Sequence, residues 1–349
     1  MKRISIFLFS FSFIFISSII AGGNPSKVKP IKNSSKQQEK FPTWISNPSQ
    51  NYNEKLYLTG VGFGTNDNTA EDDAKSELIK ILDQKISSTE SIKNTSTTTE
   101  EFSSYTANID TSSQLKSITG LKIAEKFYAN DSKVYALAVL KRQDVADYYS
   151  NLISKNNSQI IEYINFANSN LGTLESCIYA QQAFLLGQEN EYYSFLINTI
   201  DAPFEPDYEL SYGSFVQLSK KVSDIKKNVS INIQVSNDEK NRIKNSLIKT
   251  YNTLGIQSSD LATCKYTVIA NVSIEKTDSP DKKHVYYNYF YTLDLIDVTS
   301  QTTLHSYSTH GRVGHLNDQG ALNKTFITIS SEIEKKYYAN LNALLSANK

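Results

Sequence analysis

The pattern Gly60-x-Gly62-x-Gly64, set within Leu56-Tyr57-Leu58-Thr59-Gly60-Val61-Gly62-Phe63-Gly64, constrains this chain more than any other feature. Aliphatic and aromatic residues interleaved with glycine read as a β-strand over whose backbone another element packs closely. The next segment supplies that element. A helix is expected to open at Thr69, with the Thr69 side chain capping the first turn and Asp72 completing a capping box. Ala70, Ala74, Leu78, Leu82 and Ile86 recur every fourth residue along one face. The small residues at the start of that face let the helix approach the glycine strand. A dinucleotide-binding loop is excluded, because its spacing requires glycine at position 65, where Thr65 stands. Gly60, Gly62 and Gly64 are therefore read as structural.

Two further runs, Ile118 to Tyr128 and Lys133 to Leu140, flank Asn130-Asp131 and predict a β-hairpin with an Asn/Asp turn. Together, Pro42-x-Trp44, Tyr57-x-x-Gly60-Val61-Gly62, the Ala70 and Ala74 helix and the Tyr135-Ala136-Leu137 strand resemble the LPP20 (LPP-twenty) family of small bacterial outer-membrane lipoproteins, which is related to envelope and flagellar assembly proteins. The resemblance covers about residues 42 to 153. It implies an exported, non-catalytic envelope module and supplies no catalytic residues. The chain departs from the family in having no Cys near its first apolar run, so no lipid anchor is expected.

Export is also expected from the residues themselves. Lys2-Arg3 precede an apolar run from Ile4 to Ile20 that ends in Ala21-Gly22-Gly23, a signal peptide over residues 1–23 with the mature chain beginning near Asn24. As a helix this run spans only about 26 Å, against a hydrocarbon core of about 30 Å. Residues 24–41, rich in Lys, Asn, Ser and Gln, read as a flexible tether. The 36 basic and 36 acidic residues balance, and the lysines form no stripe, so nucleic acid is not an expected partner. The polar stretch from Ser91 to Ser113 is read as a solvated helix extension or loop.

A helix over Gln143–Ile153 is expected to close a first domain at residue 154. From 155 to 218 the period is helical, predicting two or three short helices in a linker subdomain that Ala202-Pro203-Phe204-Glu205-Pro206 terminates. Residues 219–349 predict a β-α-β-β-β-α domain. Its strands are Val229–Val235, Tyr266–Ile274, Tyr286–Asp297 and Thr303–Arg312, and its helices are Asp238–Leu254 and Asp318–Leu345, the last with Leu322, Phe326, Ile329, Ile333 and Tyr337 on one face. The fold class is α+β: two small α/β sandwich-type domains with antiparallel sheets, joined by a short helical segment.

Signals of chemistry are few. His305, His310 and His315 recur every five residues, a spacing that alternates faces on a strand; only a turn at Gly311 to Gly314 would let His310 and His315 meet. No metal or cofactor is expected. Cys177 and Cys264 are either a disulfide pinning the linker to the last domain or two buried thiols. Among 22 tyrosines, Tyr286, Tyr287, Tyr289 and Tyr291 crowd one strand and form the candidate interaction surface. The chain reads as a non-catalytic exported protein, periplasmic or associated with the outer membrane, that binds envelope or flagellar proteins or cell wall. The alternatives are a secreted surface adhesin and a hydrolase whose site is assembled from distant residues.

Overall fold

The computed structural model describes residues 40–96, 120–204, 207–238, 240–259, 264–278 and 283–347, with the side chains of 86–96 excepted. The expected signal peptide, nearly all of the expected tether and residues 97–113 of the polar stretch lie outside these residues, whereas 91–96 continue a helix. Residues Phe41–Lys349 form one compact unit.

The glycine strand β1 (Tyr57–Gly64) pairs antiparallel with β3 (Val134–Lys141), which pairs on its other side with β2 (Lys122–Tyr128). Ala129 N–H donates to the Lys133 carbonyl, closing the predicted hairpin turn (2.8 Å). The helix α2 (Asp67–Ser96) lies directly on the glycines. A Cβ built on Gly60 would stand 2.5 Å from the Ala74 carbonyl oxygen, and one on Gly62 would overlap the Ala74 backbone. Ala70, Ala74, Leu78 and Leu82 are buried beneath this helix as expected, while Ile86 falls among the side chains not described. The helix starts two residues before the expected position. Thr69 N–H donates to Asn66 Oδ1 (3.0 Å) and Asn66 N–H donates to Thr69 Oγ1 (3.2 Å), so Asn66 caps and Thr69 takes the third-position role that had been expected of Asp72. Lys126 on β2 pairs with Asp67 and Glu71 in the first turns, tying the edge strand to the helix (2.9 and 2.6 Å).

Strand β3 is apolar on both faces because both are covered. Ala136, Ala138 and Leu140 face α2, whereas Leu137 and Val139 face Trp44 of the short helix α1 (Thr43–Ser46). Trp44 is 4% exposed, and Phe41 packs its ring on Phe127 and Tyr135 beside it (5.3 and 5.7 Å).

Instead of two or three short helices, two long ones follow, α3 (Arg142–Ser169) and α4 (Leu174–Ile200), then α5 (Phe215–Lys226). The expected domain boundaries at 154/155 and 218/219 thus fall inside α3 and α5. The polar Asn156-Asn157-Ser158, which follows the expected closing helix, is internal to α3. Asn156 donates to Asn190 on α4 (3.0 Å), Asn190 to Asn157 (3.3 Å) and Asn157 to the Glu209 carbonyl (2.7 Å), a buried amide chain that fixes how the two helices meet. Arg142 at the start of α3 donates to the Glu54 carbonyl (2.9 Å) and to the Ile200 carbonyl at the end of α4.

The second sheet has the order β5 (Gln257–Ser258), β4 (Ser230–Val235), β6 (Tyr266–Thr277), β7 (Val285–Asp297), β8 (Thr302–His315). It is mixed, where an antiparallel sheet was expected. Helix α6 (Arg242–Thr253) carries the chain from β4 back to the same end, so β6 and β5 run parallel to β4, and only β6-β7-β8 are antiparallel. The final helix is α7 (Asp318–Glu332), a π-helical turn Ile333–Tyr337 and α8 (Tyr338–Ser346). Ile329, Ile333 and Tyr337 are fully buried, and Ala321, Leu341 and Leu345 complete the inward face; Leu322 and Phe326 lie toward its margin.

Replacing Gly62 by Val is expected to lower the urea unfolding free energy by about 3 kcal/mol, because the branched side chain must displace the α2 backbone. An unchanged midpoint would show that α2 does not need this approach.

Candidate interaction surface

The register of the second sheet decides which side chains meet solvent. Successive residues of a strand face opposite sides, and α6, α7 and α8 cover only one side, contributing Leu247, Tyr251, Ile329, Tyr337 and Leu341 to its core. On β7 the odd-numbered residues turn inward. Tyr289 is 5% exposed and Tyr291 0%, so two of the four tyrosines expected at the surface belong to the core. The Tyr289 hydroxyl donates to Glu332 of α7 (3.0 Å), and burial together with that carboxylate pushes it up to about 12. Tyr287, near the strand end, donates to the carboxylate of Asp318 (3.2 Å). Tyr286 alone of the four lies on the uncovered side. The Arg312 guanidinium stands 4.3 Å from its ring centre, and a Cβ on the facing Gly314 would strike the ring (2.5 Å).

The uncovered side runs across three long strands in register: Ser273 beside Phe290 beside His310, and Glu275 beside Asn288 beside Arg312. These residues line a shallow depression of about 470 Å³ in which Phe290, 48% exposed, is the large apolar group. Short polar side chains flank it at Asn271, Thr292 and Ser308, and Ser306 donates to Asp294 (2.5 Å). Strand β8 forms the sheet margin for fourteen residues and carries one charged residue, Arg312; the opposite margin, β5, has two residues. A long margin without Lys, Asp, Glu or Pro is one to which another strand can add.

The remaining expected sites resolve as follows. Gly60, Gly62 and Gly64 lie under α2 and line no cavity described here. Cys177 and Cys264 are both buried free thiols; Cys177 lies in the core of the second sheet, and burial pushes it up to about 11. Strand β8 runs unbroken through Gly311 to Gly314, so the turn that would have joined His310 to His315 is not formed. His305 and His315 share the inward face about 33 Å apart along the strand, and His310 faces outward. Among the described residues, no group of three or more His, Cys, Asp or Glu side chains could hold a metal ion.

The perturbed groups do not gather at one cleft among the described residues. Tyr251 and Tyr337 share a buried hydrogen bond (2.8 Å), and burial pushes both up. The Glu189 carboxyl is raised by burial between α3 and α4. Asp67, Glu71 and Asp318 are lowered by lysine partners on the surface. Sequence reasoning had missed Phe290 and Arg312. Phe290 stands within the aromatic run Tyr286 to Tyr291, whose rings occupy both parities, and Arg312 lies opposite that run on the next strand, so no local pattern singled them out.

Residues 42–141 match the LPP20 lipoprotein family. The LPP20 match covers α1, the three-stranded sheet and α2, and ends before α3; the second sheet lies outside it. Among solved structures, a secreted protein of Helicobacter pylori is similar over 84% of this chain and 99% of its own, at 13% identity and a TM-score of 0.41. A minor lipoprotein of Acinetobacter baumannii is similar over 33% of this chain and 95% of its own, at 10% identity and a TM-score of 0.26. Rare lipoprotein B of Shewanella oneidensis is similar over 33% and 98%, at 12% identity and a TM-score of 0.25. No curated protein matches the chain. No described helix is long and apolar enough to cross a membrane.

The ion pair of Lys276 with Asp318 (2.7 Å) sets a pH dependence. Its hydrogen bond holds the Asp318 carboxyl below the ordinary carboxylate range. The folded value lies below the unfolded one, so the contribution to stability is present above the unfolded pKa and is lost as pH falls through the folded pKa. In an NMR titration, Lys276→Met is expected to move Asp318 up toward its ordinary value; an unmoved midpoint would contradict the pairing.

Proposed function

We propose that the protein is an exported, non-catalytic component of the bacterial cell envelope that acts by binding protein in outer-membrane or flagellar assembly. The observation that carries this reading is the antiparallel part of the second sheet, β6-β7-β8, helix-covered on one side and, among the described residues, open to solvent around Phe290 on the other, with Phe290 in a shallow depression beside Arg312. An exposed aromatic ring flanked by Arg, Asn and Tyr is the composition found at the centres of protein interfaces. The LPP20 match over residues 42–141 supports an envelope location, as does the apolar run from Ile4 to Ile20 behind Lys2-Arg3. The scatter of perturbed groups over core tyrosines and surface ion pairs favours binding over hydrolysis. Both thiols are buried, which leaves neither Cys177 nor Cys264 accessible for acylation.

The test is to tag the C terminus, cross-link intact cells, fractionate them and identify the captured proteins by mass spectrometry, for the wild type and for Phe290→Asp. Outer-membrane or flagellar components recovered with the wild type and reduced at least fivefold with Phe290→Asp are expected. A partner-free protein in the medium would overturn the assembly reading in favour of an adhesin.

A further inference from the structure

A second concavity, of about 380 Å³, has a different chemistry from the sheet depression. It lies where the start of α4, the end of α6 and α8 converge at one end of the second sheet. Its floor is aliphatic: Leu254, Ile256, Leu295, Leu341 and Leu345 are all buried. Two hydrogen bonds fix its walls. The Leu174 N–H at the start of α4 donates to the Tyr266 hydroxyl oxygen (3.1 Å), and Gln182 of α4 donates to the Ser346 carbonyl at the end of α8 (2.7 Å). The cavity is thus part of the fold, and does not depend on a side chain swinging aside.

Polar groups stand at the rim. Lys265, whose side chain is 43% exposed, is 5.4 Å from the Tyr266 ring centre and 4.0 Å from Asp297 Oδ2, the outer limit of an ion pair. Asp297 is engaged elsewhere, since its Oδ1 accepts from Thr299 N–H (2.8 Å) and Ser300 N–H (3.2 Å). The ammonium therefore keeps donors for a further anion; Glu175 also lines the rim. Leu304, 42% exposed on β8, forms an apolar lip.

We infer that this cavity binds a single acyl chain with its anionic head group at Lys265. An aliphatic floor with charged groups at the rim selects a ligand that is apolar along its length and charged at one end. A cavity of about 150 Å³ takes the six carbons of benzene, so a concavity of about 380 Å³ has room for a longer stretch of alkyl chain. The inference is independent of the protein-binding face.

The full-length protein should be titrated by displacement of the fluorescent fatty acid 11-(dansylamino)undecanoate, with myristate in one arm and a fourteen-carbon lysophosphatidylglycerol in the other. Saturable one-to-one displacement is expected, at least tenfold tighter for fourteen-carbon than for eight-carbon fatty acids. The tighter arm names the source as free fatty acid or phospholipid. Lys265→Glu, at an exposed position, is expected to weaken binding at least fivefold with an unchanged circular dichroism spectrum, and Leu344→Trp to block the cavity. Absence of displacement in both arms overturns the inference. So does an affinity unchanged by Lys265→Glu, which remains decisive if Leu344→Trp fails to fold.

Discussion

One helix contributes to three of the cores of the described chain, all but the small one under Trp44, and the arrangement of both sheets depends on it. The C-terminal part of α4 places Tyr192, Phe195, Leu196 and Ile200 against the first sheet, its middle places Ala180 and Ala183 against α3 and α5, and Cys177 near its start lies in the core of the second sheet. Its 27 residues span about 40 Å. The end at Ile200 is held by Arg142, which is 7% exposed and whose guanidinium also bonds the Glu54 carbonyl just before β1. A cation at a helix C-terminus completes carbonyls that otherwise lack partners and opposes the negative end of the helix dipole. The same residue thus links β1, α3 and α4, and α4 in turn supplies a wall of the apolar cavity. The cavity is a product of the connection between the sheets, not of either sheet alone.

The second constraint is that, among the described residues, helices cover the second sheet on one side only. Strand alternation then divides every long strand into a core set and a solvent set, and the division separates the tyrosines of β7. Tyr289 and Tyr291 support the helices from beneath, while Phe290 and Asn288, their neighbours in sequence, face solvent. The first sheet differs because Trp44, Phe41 and Phe127 close its second side, which is why β3 is apolar at both parities. The chain therefore carries one closed sheet within its LPP20 region and one half-open sheet beyond it.

What was legible in the sequence follows from how local each cause is. Gly60, Gly62 and Gly64 announce a close backbone approach, and Ala70 and Ala74 announce the surface that approaches, so strand and helix could be read within thirty residues of one another. The hairpin at Asn130-Asp131 is equally local. The continuity of α3 was hidden because Asn156 and Asn157 look like solvent-exposed breakers, and only the facing Asn190, over thirty residues away, makes them interior residues. The parallel pairing of β4 with β6 depends on where α6 packs, and no pattern within the strands records it. The run Tyr286 to Tyr291 has aromatic residues at both parities, so periodicity could not show which face was covered. Lys265 and the leucines around it come from distant elements, and nothing in their spacing marks a common cavity.

The claim that organises this account is that the bare side of the second sheet is where a partner docks. The most direct measurement places a photo-cross-linking amino acid at position 290 in intact cells, with position 327 as the control, since Ile327 is exposed on the helix-covered side (61%). A partner docked on the side that carries Phe290 gives a discrete cross-linked species from position 290 and none from position 327. Equal products from both positions, or none from either, would contradict it.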